Sequence, residues 1–107
     1  MSCRYYAPDK NGHAFVRADW EFTCHACPVQ AEGFIHSQDG SKPFYFRSRG
    51  RRWSLGIGGE PVMEPEWFHQ ENYGADYEAG WITLEEASAF ILQAIKRYDA
   101  FLVTHVE

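Results

Sequence analysis

Between Ala14 and Leu55 the apolar residues fall at every second position in four successive stretches, and turn-forming residues separate each stretch from the next. A period of two places neighbouring side chains on opposite faces of a β-strand, so each stretch reads as a strand with one face toward a core. In residues 14 to 23, Ala14, Val16, Ala18, Trp20 and Phe22 alternate with Arg17, Asp19, Glu21 and Thr23. Val29, Ala31, Gly33 and Ile35 continue the pattern up to Asp39-Gly40, a dipeptide favoured by two-residue hairpin turns. Phe44-Tyr-Phe-Arg-Ser follows, and Arg49-Gly50 turns the chain into Trp53-Ser-Leu.

Residues paired across an antiparallel ladder point to the same face, so these stretches constrain one another. Closing at Asp39-Gly40 pairs Ile35 with Phe44 and Gly33 with Phe46. Closing at Arg49-Gly50 pairs Phe46 with Trp53 and Phe44 with Leu55. A connection over Cys24 to Cys27 pairs Phe22 with Val29, Trp20 with Ala31, Ala18 with Gly33 and Val16 with Ile35. All three closures collect the apolar side chains on one face, and a one-residue slip in any of them would scatter them. On the other face the same registers predict a transverse row of Asp19, Glu32, Arg47 and Arg52, with Glu32 across from Arg47 and two arginines side by side.

Residues 58 to 82 carry Gly58, Gly59, Pro61, Pro65, Gly74 and Gly80, together with Trp67, Phe68, Tyr73, Tyr77 and Trp81. This composition reads as a long acidic, aromatic loop that packs on the sheet, with a helical turn at Pro65 to Glu71. Thr83-Leu-Glu-Glu86 is a capping box, in which a hydroxyl and a carboxylate satisfy backbone donors at a helix start. Leu84, Ala87, Ile91, Ala94, Ile95 and Tyr98 then form one apolar stripe at helical spacing. The tail from Phe101 reads equally as more helix or as a strand. The expected fold is α+β: one compact domain with a four-stranded antiparallel meander over about 14–57, the loop 58–82, and one C-terminal helix over about 84–100 packed on the apolar face.

A chain of 107 residues with 45% apolar and 17% aromatic content forms a single core. A net charge of -5 argues against a protein that coats nucleic acid through many phosphate contacts. No apolar run reaches the length of a membrane span, and the first residues lack the apolar core of a secretory signal, so the expected setting is cytoplasmic, with no membrane contact. Three cysteines, an odd number, fit a reduced compartment.

Three constellations carry potential chemistry. Cys24-His-Ala-Cys27 is a CxxC at an expected hairpin tip, where two thiolates converge as in a zinc knuckle, and Cys3, His25 or His36 are the candidate further ligands. Dithiol redox chemistry is disfavoured, since Pro28 onward reads as a strand rather than a helix. Five of the ten Lys and Arg residues lie between Lys42 and Arg52. Tyr45, Arg47, Arg49, Arg51 and Arg52 are therefore candidate binding residues for an anion, a nucleotide or nucleic acid, since guanidinium forks grip phosphate and carboxylate. Phe44, Phe46 and Trp53 point to the core in these registers, which removes most of a stacking platform. Gly56-Ile-Gly-Gly59 lacks the spacing of a phosphate loop, and Glu66, His69 and Glu71 read as surface residues. No catalytic motif stands out and no catalytic residue is expected. The leading expectation is a small protein-interaction module, accessory or inhibitor/immunity-type, that binds another protein through its charged surfaces. A zinc or other metal module at Cys24 and Cys27, and an anion site at the arginines, are the competing expectations.

Overall fold

The computed structural model describes residues 2–7, 16–26, 28–37, 40–74 and 78–104. They form one antiparallel sheet in sequence order, β1 (Ser2–Ala7), β2 (Val16–His25), β3 (Val29–Ser37), β4 (Gly40–Arg49), β5 (Arg52–Ile57) and β6 (Trp67–Asn72). A short 3-10 helix, Glu78–Trp81, leads into α1 (Leu84–Thr104). The α+β class and the C-terminal helix are those expected, but the sheet has six strands rather than four.

β1 carries a short alternation of its own, Cys3, Tyr5 and Ala7, whereas β6 lacks the signal that exposed the others. In β6 the positions facing the helix are Trp67, His69 and Glu71, so two polar residues occupy the inward side and the apolar alternation disappears. The expected helical turn at Pro65 to Glu71 is replaced by this strand. The expected loop 58–82 is correspondingly shorter, and a tight arch over 58–66 joins β5 to β6, held by Gly58 N donating to Pro43 O at 2.8 Å and Glu66 N to Ile57 O at 3.0 Å.

Every expected pairing among the central strands is displaced by two residues. Ala18 faces Ile35, Gly33 faces Phe44, and Phe44 faces Ile57. Local causes are visible at two of the three turns. A bulge between Phe22 and Cys24 absorbs a residue of β2, and His25 pairs directly with Val29. Arg49 pairs with Arg52, so the turn residues are Gly50 and Arg51, with Gly50 at φ 67°, a conformation that glycine adopts without a Cβ penalty. At the third closure Gly40 is already in the ladder opposite Ser37, while Asp39 lies outside the described residues. A shift of two leaves each side chain on its face. The core therefore holds the expected Ala18, Trp20, Phe22, Val29, Ala31, Ile35, Phe44, Phe46, Trp53 and Leu55, all buried, and Ile57 joins them; Ala14 lies outside the described residues.

The helix closes this core. Ala87, Ile91, Ala94, Ile95 and Tyr98 are buried, and Leu84 is half-buried at the helix entry. Phe90 stacks on Trp53 with ring centroids 5.0 Å apart and 7° between planes, and Tyr98 meets Trp67 edge-on at 5.5 Å. The capping box forms as expected: Glu86 N donates to Thr83 Oγ1 at 3.0 Å, and Thr83 N donates to Glu86 Oε1 at 3.1 Å. These bonds, with the Tyr73 hydroxyl donating to Glu86 Oε2 at 3.0 Å, hold the Glu86 carboxyl below the usual carboxylate range, the Thr83 amide being the largest cause. The tail continues as helix to Thr104. Among the described residues no helix is long and apolar enough to cross a membrane.

Candidate functional site

α1 occupies one face of the sheet, and among the described residues the other carries no helix. Its side chains come from the alternate positions, and the two-residue displacement decides which of them are neighbours. Glu21 stands directly opposite Glu32, and Glu32 stands opposite Tyr45 on its other side. The next row reads Asp19, Phe34 and Pro43. The expected row of Asp19, Glu32, Arg47 and Arg52 does not form: Arg47 faces Gln30 and Ser54, and Arg52 faces Arg49 and Asn72.

The arch over 58–66 turns this part of the face into a groove. A Cβ on Gly56, which points outward, would lie 2.5 Å from the Pro61 carbonyl and 3.0 Å from the Pro65 ring, so the arch folds directly onto β5. Pro61 and Val62 form one wall, Asp19 and Glu21 line the opposite side, and Glu32, Phe34, Pro43 and Tyr45 lie between them, enclosing about 670 Å³. Phe34 is 53% exposed and Val62 63% exposed, so apolar surface faces solvent beside the carboxylates. Asp19 contacts His36 at 3.3 Å and Arg17 at 3.9 Å. Glu21 and Glu32 are exposed and neither has an ion-pair partner among the described residues. Tyr45 is half-buried, and that burial raises its phenol above the ordinary value.

Of the five candidate binding residues, Tyr45 thus belongs to the acidic groove rather than to the arginines. Arg47 is half-buried with Nε enclosed and without a hydrogen-bond partner. Arg49, Arg51 and Arg52 are exposed together at the β4–β5 turn. The sequence reading overlooked Phe34, Pro61 and Val62. The first was detectable, because the alternation of Val29, Ala31, Gly33 and Ile35 leaves Phe34 on the outer face; the other two depend on how the arch folds.

Of the candidate metal ligands, Cys24 and His36 lie far apart among the described residues. Cys24 is half-buried and its thiol lies 3.5 Å from the Ala26 carbonyl, with exposed His25 beside it; Cys27 lies outside the described residues. His36 pairs with Arg17 at the far end of β3, six residues beyond Gln30, the partner of Cys24, and so about 20 Å along the strand. Its Nδ1 is hydrogen-bonded to Ser41 Oγ at 2.6 Å. Cys3 sits in β1 opposite Trp20, four residues along β2 from Cys24. Among the described residues no three His, Cys, Asp or Glu side chains converge as a metal site.

Glu66, His69 and Glu71 separate into two structural contacts. Glu66 accepts from Lys42 Nζ at 2.6 Å and ties the arch to β4; the same bond raises the lysine above its ordinary value and lowers the carboxyl. His69 Nε2 lies 2.7 Å from Glu71 Oε2, which also accepts from Gln93 Nε2 at 3.0 Å, so this pair seals β6 against α1. No protein-family model, curated protein or solved structure matches this chain.

Proposed function

We propose that this chain is a small protein-interaction module, of accessory or inhibitor/immunity type, that takes a basic, partly apolar segment of a partner protein into the groove on the sheet face opposite α1. The observation that carries this reading is Glu21 directly across from Glu32, both exposed and lacking an ion-pair partner among the described residues, beside Phe34, Tyr45 and Val62. Like charges directly opposite on a ladder cost stability. A cationic side chain placed between them converts that repulsion into two attractions, and the rings of Phe34 and Tyr45 accept its aliphatic stem or its charged end. Attraction between an acidic groove and a basic segment also speeds encounter, an effect that salt suppresses.

A labelled octapeptide alternating arginine and leucine tests the chemistry by fluorescence anisotropy against the full chain. Saturable binding is expected, weakened at least tenfold in E21K/E32K and weakened by added salt, while the acidic counterpart alternating glutamate and leucine does not bind. Equal binding by the wild type and E21K/E32K would sink the groove as the docking site.

A further inference from the structure

We propose that the row Arg49, Arg52 and Asn72, at the turn end of the same face, is a site for a phosphate group. The three residues are cross-strand neighbours, Arg49 opposite Arg52 and Arg52 opposite Asn72, and all are exposed. Opposed residues of an antiparallel pair have Cα atoms about 4.5–5.5 Å apart, so the two arginine side chains and the asparagine leave the same face of the ladder as neighbours. Neither Arg49 nor Arg52 has an ion-pair partner among the described residues. Among the described residues no carboxylate offsets their mutual repulsion, and an anion that bridges them would.

The backbone of the turn reinforces this polarity. Its two carbonyls are occupied, Gly50 O accepting from Ala79 N at 3.0 Å and Arg51 O from Tyr73 N at 2.6 Å. Those bonds fix the turn against the chain that leads to α1, so the arginines project from a held base. Arg52 and Asn72 also line, with Arg51 and Gly74, an open recess of about 280 Å³ beside the row. The adjacent row inward is Gln30, Arg47, Ser54 and Gln70, again without a carboxylate, and Arg47 Nε in it is buried and unpartnered.

The charge of the ligand follows from the count of cations. A carboxylate brings one negative charge and leaves one arginine uncompensated, whereas a phosphomonoester carries about −1.5 to −2 near pH 7 and presents three acceptor oxygens. Two guanidinium forks and one amide donor match that group in charge and in donors. This inference is independent of the acidic groove.

The test is a titration of the isotope-labelled full chain with inorganic phosphate at constant ionic strength, read by amide chemical shifts. Saturable shifts are expected at Arg49, Gly50, Arg52 and Asn72, with affinity reduced at least tenfold in R49A/R52A and at least tenfold weaker for acetate than for phosphate. Adenosine monophosphate binding at least as tightly as phosphate makes the physiological ligand an ester, and weaker binding makes it the free ion; either keeps the assignment. R52Q guards against misfolding: without phosphate it is at least as stable as the wild type, and phosphate raises the melting temperature of the wild type alone. Unsaturable shifts, equal binding of acetate and phosphate, or unchanged affinity in R49A/R52A would overturn the site.

Discussion

Glu21 and Glu32 occupy opposed positions on β2 and β3, so that two carboxylates share one rung of the ladder and open onto the groove formed by the 58–66 arch. In the isolated chain this contact is repulsive. E32Q should therefore raise stability, by less than about 1 kcal/mol, while lowering affinity for a basic segment. Urea denaturation without any partner checks the first effect and peptide titration the second. A variant that loses stability and keeps its affinity would contradict the role given to this pair.

Gly33 lies in β3 directly opposite Trp20 of β2, with no room for a side chain between the strands. An added Cβ would sit 2.0 Å from the Asp19 carbonyl oxygen and 2.8 Å from Trp20 Cα, both backbone atoms of the neighbouring strand. Backbone in a central strand yields less readily than a side chain, so G33A is expected to lose about 1–3 kcal/mol or more, the range of overpacking in a filled core. The midpoint of a urea transition reports it directly, and an unchanged midpoint would mean that the strands separate there at little cost.

Ser48 is buried on the inner face, and its Oγ donates to the Ala79 carbonyl at 2.6 Å. S48A would strand that carbonyl without its partner, a loss of about 1–3 kcal/mol. Hydrogen exchange at the Ala79 amide, which is bonded to Gly50 O, should accelerate in the same variant because both bonds anchor the 3-10 helix to β4 and its turn.

Thr83 and Glu86 make the start of α1 sensitive to mutation and to acid. T83A removes the acceptor for the Glu86 amide, at a cost of about 0.5–2 kcal/mol. Glu86 has its carboxyl lowered in the folded chain, so its contribution is present above the ordinary carboxylate range and is lost as pH falls through the lowered value. E86Q should flatten that part of the stability curve, measured by thermal unfolding between neutral and acidic pH.

Lys42 and Glu66 bound a second window. The raised lysine contributes below its ordinary value and loses that contribution as pH rises through the higher one; the lowered carboxyl contributes above its ordinary value and loses it on acidification. The arch should thus be tied to β4 from mildly acidic to strongly alkaline pH. Exchange of the Gly58 and Glu66 amides, faster in K42M at neutral pH and convergent with the wild type at low pH, is the expected outcome.

Much of the candidate site was only half legible beforehand. The alternation of Phe44, Phe46 and their neighbours suffices to place Tyr45 and Arg47 on the outer face. It does not reveal their partners, since Arg47 meets Gln30 and Ser54 instead of Glu32 and Arg52. Strand β6 escaped altogether: its inward His69 and Glu71 are satisfied by each other and by Gln93, a compensation that no local pattern reveals.

The sequence alone determined which side chains enter the core and where α1 begins. Both are local matters, the first set by a two-residue period and the second by hydrogen bonds spanning three residues at Thr83. Tertiary structure decided who stands beside whom. Registers that differ by two residues bury the same set of side chains, so hydrophobicity does not choose between them; the bulge after Phe22 and the Gly50-Arg51 turn do. That choice set Glu21 against Glu32 and Arg49 against Arg52, the two contacts on which the functional readings of this face depend.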